Sequence, residues 1–109
     1  MDEITGKTTI APSVLHTIAK LTTLATPGVS RLSSREGLTN VPEDGVKVSV
    51  KGETIEVEVY VIPSSEGNVR LVAQEVQKRV TRAITEMVGM EVARIDVHIT
   101  DIDLEAKVQ

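Results

Sequence analysis

Two runs of alternating residues, joined by a short glycine turn, constrain this chain more than any other feature. The apolar members are Val46, Val48, Val50, Ile55, Val57, Val59 and Val61. A period of two indicates strands with one buried face, and Gly52-Glu53 suits a type II′ turn, which takes glycine first. This hairpin places Val48 opposite Val57 on the buried face and Lys47 opposite Glu58 on the other. A slip of one residue would put charged side chains in the core, so the register is strongly specified.

The segment from Val69 to Met87 has the period of a helix with one apolar face. Its apolar residues recur at spacings of one, three and four: Val69, Val72, Ala73, Val76, Val80, Ala83, Ile84 and Met87. Gly89 follows, and glycine commonly occupies the position just beyond a helix end. We expect a helix of about five turns that buries Val76 and Val80 against the sheet.

A shorter helix is predicted before the hairpin. Pro12 suits its first turn, and Pro27-Gly28 ends it. Its predicted core stripe is Val14, Ile18, Leu21 and Ala25, flanked by Leu15 and Leu24.

Three further strands complete the predicted fold. Thr8–Ala11 and Val29–Leu32 are short, and a last strand over Ile95 to Ile99 alternates until the phase reverses at Thr100-Asp101. We expect a bulge or the end of pairing there. The order is β-α-β-β-β-α-β, an α+β fold with two helices packed on one face of a mixed, mostly antiparallel sheet. The second helix would connect two parallel strands by a right-handed crossover, within one domain over residues 1–109.

Composition argues against several classes of function. With 12 Lys and Arg against 16 Asp and Glu, the net charge is −4, and Tyr60 is the only aromatic residue. We therefore expect no nucleic-acid binding, since the net charge is acidic and an aromatic stacking platform is missing. Cysteine is absent, so disulfides and thiol chemistry are excluded. No apolar run has the length of a membrane span, and Met1 to Lys7 contains no apolar stretch, so we expect no signal peptide. We expect a cytoplasmic protein without direct membrane insertion.

Groups that could catalyse a reaction or bind a metal are few. His16 and His98 both fall on polar faces, and the sequence ties no nucleophile to either, which favours surface histidines over proton transfer. The motif Asp101-x-Asp103-x-Glu105 resembles the opening of a calcium loop. The position that needs glycine is Ala106, however, which favours an acidic tail. We predict no catalytic residues, no metal and no cofactor.

The second helix concentrates positive charge around one leucine, opposite its apolar stripe. The helix has a net charge of +2 and the rest of the chain −6. At about 100° per residue, the outer face collects Leu71, Gln74, Lys78 and Arg82. We predict that these four residues bind a protein partner, with Leu71 burying apolar area and the cations orienting an acidic surface. A solvated face with one stray leucine is the alternative.

Several short segments, taken in order, resemble a known family. They are Gly6 with Thr9-Ile10, Val14-x-x-x-Ile18-Ala19, Pro27-Gly28-Val29, Val72-Ala73-x-x-Val76-Gln77-x-x-Val80, Met87-Val88-Gly89-Met90-x-Val92 and Ile95-x-Val97-x-Ile99. Their order and spacing resemble the alkaline shock proteins of the bacterial envelope-stress response. The resemblance implies a small, cytoplasmic α+β protein without established catalysis, held near the membrane by a partner protein in some members. It supplies no site residues to transfer.

These observations predict a non-enzymatic interaction or scaffold protein. The resemblance links it to cell-envelope stress or homeostasis through protein partners, one of them membrane-associated, and self-association into a homo-oligomer stays open. A small nucleic-acid-binding domain is one alternative, which a salt-dependent gel shift would detect. An enzyme or ligand-binding regulatory domain is the other, and it would need a pocket lined by convergent polar residues.

Overall fold

Two helices and four strands make up the described part of the chain. A computed structural model describes residue 6 and residues 9–34, 41–42, 44–64 and 67–103. The elements are α1 (Pro12–Leu24), β1 (Val29–Leu32), β2 (Val46–Lys51), β3 (Thr54–Pro63), α2 (Val69–Val88) and β4 (Glu91–Ile99). The predicted α+β class, with helices on a mixed, mostly antiparallel sheet, is confirmed.

The central strand of the sheet, β3, is paired along both of its edges. β2 pairs with its first half and β1 with its last residues, both antiparallel, while β4 runs parallel to it from Thr54 to Val61. Because β4 occupies one edge over that length, β1 and β2 share the other edge end to end. The parallel pairing of β3 with β4, with α2 between them in the chain, is the predicted crossover connection.

The hairpin has the register that its alternation predicts. Val48 pairs with Val57, and Lys47 pairs with Glu58. Gly52 has a φ of 63°, the left-handed backbone that the first central residue of a primed hairpin turn requires. Sequence and structure therefore agree on which side chains reach the core.

One apolar layer lies between the sheet and the helices. On β3 the buried residues alternate with half-buried ones along the whole strand. The fully enclosed members of the core include Ile55, Val57, Val59, Val61, Leu15, Ala19, Val76, Val80 and Ile84. The predicted burial of Val76 and Val80 is confirmed. On the other side of the sheet, the alternate residues form a polar face.

The ends of α2 follow from two residues that satisfy its free backbone groups. The Asn68 side chain accepts hydrogen bonds from the backbone N–H groups of Arg70 and Leu71, at 2.8 and 3.3 Å, as an N-cap does. Gly89 ends the helix with a φ of 78°, the left-handed conformation that glycine adopts without steric cost. These caps set where the outer face of α2 begins and ends.

The predicted core stripe of α1 was wrong. The buried residues are Leu15, Ala19 and Thr23, whereas Val14 and Leu21 are 46% and 60% exposed. The helix carries apolar residues on two adjoining stripes, so periodicity alone does not choose between them. The stripe with the small side chains Ala19 and Thr23 faces inward, since small residues let a helix lie close to its neighbours.

The predicted first strand is also absent from the described residues. Thr9 to Ala11 pair with no strand, and Thr8 lies outside the described part. Ala11 is extended, with φ −65° and ψ 138°. The cause is local, because a residue before proline is driven out of the helical region. The observed element order is therefore α-β-β-β-α-β.

The last strand is longer than its alternation predicts. β4 begins at Glu91, and its register against β3 shifts between Ile55 and Glu56, so that Ala93 is left unpaired. The strand ends at Ile99, where the phase reversal predicted that pairing would end. Beyond it, one bridge joins Ser64 to Asp103. The irregularity near Ala93 explains why the first part of β4 does not alternate cleanly.

Candidate functional site

The four predicted contact residues lie together on the outer face of α2. Leu71 is 62% exposed, and Gln74, Lys78 and Arg82 are exposed as well. A shallow groove of about 590 Å³ runs along this face; it is lined by Gln74, Gln77, Lys78, Thr81, Arg82, Thr85 and Glu86. Leu71 lies at the N-terminal end of the face, outside the groove lining. Together, Leu71 and these groove residues form a continuous exposed strip of helix surface.

Ion pairs within α2 compensate part of its positive charge. Arg79 Nε lies 2.7 Å from Glu75 Oε2, and Arg82 Nε lies 3.4 Å from Glu86 Oε2. The hydrogen bond from Arg79 lowers the pKa of Glu75. Within the described residues, Lys78 has no such acidic partner. Lys78, an exposed cation in the groove lining, is therefore available to a negative group on another molecule.

α1 also leaves apolar side chains exposed, in addition to Leu71 on α2. Leu24 is exposed on α1, as is Leu21. The turn that follows α1 lies close to the start of α2, since a Cβ on Gly28 would lie 2.6 Å from Val72 Cγ2. Leu24 and Leu71 therefore belong to the same end of the helical layer. The sequence signal for this exposure is the second apolar stripe of α1, which periodicity assigns to the core.

Both histidines have carboxylate partners, which sequence reasoning missed. His16 Nε2 lies 2.8 Å from Asp44 Oδ2. Burial acts to raise the pKa of Asp44, but hydrogen bonds from His16 and from the Val46 amide outweigh it, so the pKa is lowered. Of the residues that the structure describes, no hydroxyl donates to either imidazole. A serine-histidine pair of the hydrolase type is therefore absent from this part of the chain.

The polar face of the sheet carries a second cluster, built across the parallel strands β3 and β4. The register places Glu58 beside Asp96 and Tyr60 beside His98. The rings of Tyr60 and His98 stack with centroids 4.4 Å apart and planes 15° from parallel. His98 Nε2 lies 3.3 Å from Glu58 Oε1, which also accepts a 3.1 Å hydrogen bond from the Tyr60 hydroxyl. One donor atom from each of Glu58, Asp96 and His98 falls within 4.8 Å of the others.

Burial and neighbouring side chains shift the pKa values of two groups in this cluster. Arg94 binds Asp96 Oδ2 through Nη2 at 2.7 Å and through Nε at 2.9 Å, and this hydrogen bond lowers the pKa of Asp96. Burial, followed by the hydrogen bond to Glu58, raises the pKa of Tyr60. At neutral pH the cluster therefore holds an ionised Asp96 and a neutral phenol.

Asp103, in the acidic segment after β4, is tied to the sheet. Asp103 Oδ2 accepts hydrogen bonds from Ser30 Oγ at 2.6 Å and from Arg31 Nη1 at 2.9 Å. Both donors belong to β1, more than 70 residues before Asp103 in the sequence. Glu105 and Ala106 lie outside the described residues. The predicted acidic tail is thus anchored at least as far as Asp103.

No helix in the described ranges has the length and apolar character needed to cross a membrane.

Comparisons with solved structures show a shared fold. The C-terminal domain called MamM CTD, in a zinc form, superposes with a TM-score of 0.55 at 12% identity, covering 88% of this chain and 91% of that one. A manganese form gives a TM-score of 0.52 at 13% identity, covering 82% and 96%. At these identities the likeness concerns the arrangement of helices and strands and nothing further.

Sequence comparisons identify the family. The uncharacterised protein YqhY of Bacillus subtilis (strain 168) is 28% identical over 112 residues, which cover 95% of this chain and 82% of that protein. A profile for the alkaline shock protein 23 family, described as having a cell envelope-related function, matches residues 1–104. This protein therefore belongs to the alkaline shock protein 23 family, as the order and spacing of its short sequence segments predict.

Proposed function

We propose that this protein acts without catalysis, as an interaction or scaffold protein in a cell envelope-related process. Its contact surface is the outer face of α2: Leu71, Gln74, Lys78 and Arg82. The partner is a protein with an apolar side chain for Leu71 and acidic groups for Lys78 and Arg82. A membrane-associated partner would place a cytoplasmic chain of this kind beside the envelope.

The exposure of Leu71 is the observation that carries this proposal. Leu71 is 62% exposed, so a partner that covers it stabilises the complex through the hydrophobic effect. The contribution is about 25 cal/mol for each Å² of apolar surface removed from water. Single exposed leucines are common. Leu71, however, lies at the end of a face that also carries a groove, and the long side chains of Lys78 and Arg82 line that groove. This arrangement gives an apolar anchor with polar surroundings.

Charge supports the choice of an acidic partner. Lys78 forms no ion pair within the described ranges, although Glu75 lies near enough for the two charges to interact. The 3.4 Å pair between Arg82 and Glu86 is exposed on both sides. Exposed pairs contribute little stability, so Arg82 can exchange Glu86 for a carboxylate of the partner. Cations at such a rim raise the association rate more than they raise the affinity.

Site-specific photo-cross-linking in living cells tests the proposed surface. A photo-reactive amino acid in place of Leu71 or Lys78 is expected to form adducts with one protein, identifiable by mass spectrometry. The same group in place of Lys47, on the polar face of the sheet, serves as the control. Adducts from position 47 alone would contradict the assignment.

Binding kinetics with the identified partner then test the physical roles. Leu71→Asp is expected to raise the dissociation rate because it places a carboxylate where a leucine is buried. Lys78→Glu with Arg82→Glu should slow association at low salt and matter less at high salt. Leu21→Asp on α1 is the matched control, since Leu21 is 60% exposed. If Leu21→Asp abolishes binding and Leu71→Asp does not, the surface lies on α1 instead.

A further inference from the structure

We propose that Glu58, Asp96 and His98 form a binding site for a first-row divalent transition-metal ion, for which Zn²⁺ is the reference. Each residue offers one donor atom, and the three atoms lie within 4.8 Å of one another. The site lies on the polar face of the sheet, opposite the helical layer. It is therefore independent of the partner surface proposed for α2.

The backbone of two paired strands holds the three ligands in place. Glu58 on β3 is the register partner of Asp96 on β4. His98 follows Asp96 by two residues, so both side chains emerge on the same face. All three positions lie within strands and none in a loop. Sites built on such elements hold their geometry more closely than loop sites do.

The distances suit a small ion. Two ligands that each lie 2.0–2.1 Å from Zn²⁺ at a tetrahedral angle are about 3.4 Å apart. His98 Nε2 and Glu58 Oε1 are 3.3 Å apart, close to that spacing and long for a hydrogen bond between these groups. A metal between them would therefore replace a weak contact with two coordinate bonds.

Each ligand is oriented by a neighbour that is not itself a ligand. Tyr60 stacks on the His98 ring and donates its hydroxyl to Glu58. Arg94 binds Asp96, and both of its contacts use Oδ2, so Arg94 leaves Oδ1 free. Outer partners of this kind fix ligand orientation in metal sites, and their loss costs about 10- to 100-fold in affinity.

The donor set selects the class of ion. One imidazole nitrogen with two carboxylate oxygens suits Zn²⁺ and its first-row neighbours, whereas Ca²⁺ and Mg²⁺ prefer oxygen alone. Three protein ligands leave a fourth position for water or for a group from another molecule. The site is half-buried, so an ion can reach it from solvent.

Calorimetric titration of the untagged full chain tests the site, with Zn²⁺ and Mg²⁺ as the probes. Wild-type protein should bind one Zn²⁺ saturably and Mg²⁺ at least tenfold more weakly. His98→Gln should weaken Zn²⁺ binding at least tenfold. His16→Gln is the matched control, because it removes the other histidine–carboxylate pair, and it should leave the affinity unchanged. Tyr60→Phe should weaken binding about tenfold by removing the hydroxyl that orients Glu58.

Nuclear magnetic resonance of the wild-type protein gives a readout that needs no variant. Zn²⁺ should shift the imidazole signals of His98 and leave those of His16 in place. Three results would each overturn the proposal: no saturable binding, equal loss of affinity in the two histidine variants, or shifts confined to His16.

Discussion

Gly28 lies in the turn after α1, close to the start of α2, and two features of this position require glycine. Its φ of 94° belongs to a region that other residues rarely adopt, and an added Cβ would lie 2.6 Å from Val72 Cγ2. The sequence marked this residue only as a helix terminator. The closeness of Val72 is the second reason, since a side chain at this position would collide with it.

Gly28→Ala should therefore destabilise the protein by roughly 1–3 kcal/mol, through backbone strain and overpacking together. Gly67→Ala is the matched control, because Gly67 has a φ of 83° but nothing within 4 Å of its added Cβ. The control should cost about 1 kcal/mol from conformation alone. Chemical denaturation measures the free energy of unfolding of both variants. Equal losses would show that the Val72 side chain moves aside without destabilising the protein.

Arg94 and Asp96 form the residue pair whose titration is easiest to predict. The pKa of Asp96 lies below its usual 3.8 chiefly because Arg94 donates a hydrogen bond to the carboxylate. Because the pKa of Asp96 is lower in the folded state than in the unfolded state, the ionised carboxylate stabilises the fold at pH values above the unfolded-state pKa. That stabilisation is lost as the pH falls through the folded-state pKa. Arg94→Gln should raise the pKa of Asp96. Carboxyl chemical shifts followed from pH 6 to pH 2 would check this, and an unchanged pKa would contradict the pairing.

At the scale of elements, α1 shows how a helix with two apolar stripes is oriented. One stripe, Leu15, Ala19 and Thr23, is buried against the sheet and α2, and the other leaves Val14 and Leu21 in solvent. In α2 the predicted valine stripe is buried, but Met87, the last residue of the predicted stripe, is 72% exposed. The two helices therefore differ in how well sequence alone predicts their burial.

Two leucines on α1 make a matched test of this orientation. Leu15→Ala should destabilise the protein by about 2–5 kcal/mol because it opens a cavity in the core. Leu21→Ala should change stability by less than about 0.5 kcal/mol, as an exposed position does. Urea unfolding of the two variants measures the difference. A larger loss of stability from Leu21→Ala than from Leu15→Ala would instead support the core stripe predicted from periodicity.

At the scale of the whole molecule, β3 links every other element of the sheet. β1, β2 and β4 all pair with it, and its apolar residues lie beneath both helices. Loss of β3 would leave the remaining strands without a common partner. We therefore expect the fold to open last at this strand.

Hydrogen exchange tests that expectation. The backbone amides of Val57 and Val59 should exchange among the slowest in the protein, at rates set by global unfolding. Amides of β1 should exchange faster, because this strand of four residues pairs with β3 only at its end. Faster exchange in β3 than in β1 would contradict a fold organised around β3.

The sequence by itself determined the features whose causes are local. The hairpin register follows from alternation that agrees on both faces, as Val48–Val57 and Lys47–Glu58 do. The limits and buried face of α2 follow from its caps and from a single apolar stripe. The exposed position of Leu71 follows from the same periodicity.

Only the tertiary structure decided the features that depend on residues far apart in the chain. The inward stripe of α1 is chosen by what it packs against. Glu58 meets Asp96, and Tyr60 meets His98, because β4 pairs in parallel with β3 in one register. No local propensity specifies that register across the α2 crossover, since it depends on how the helix packs on the sheet. The proposed metal site could therefore not be recognised before the strands were paired.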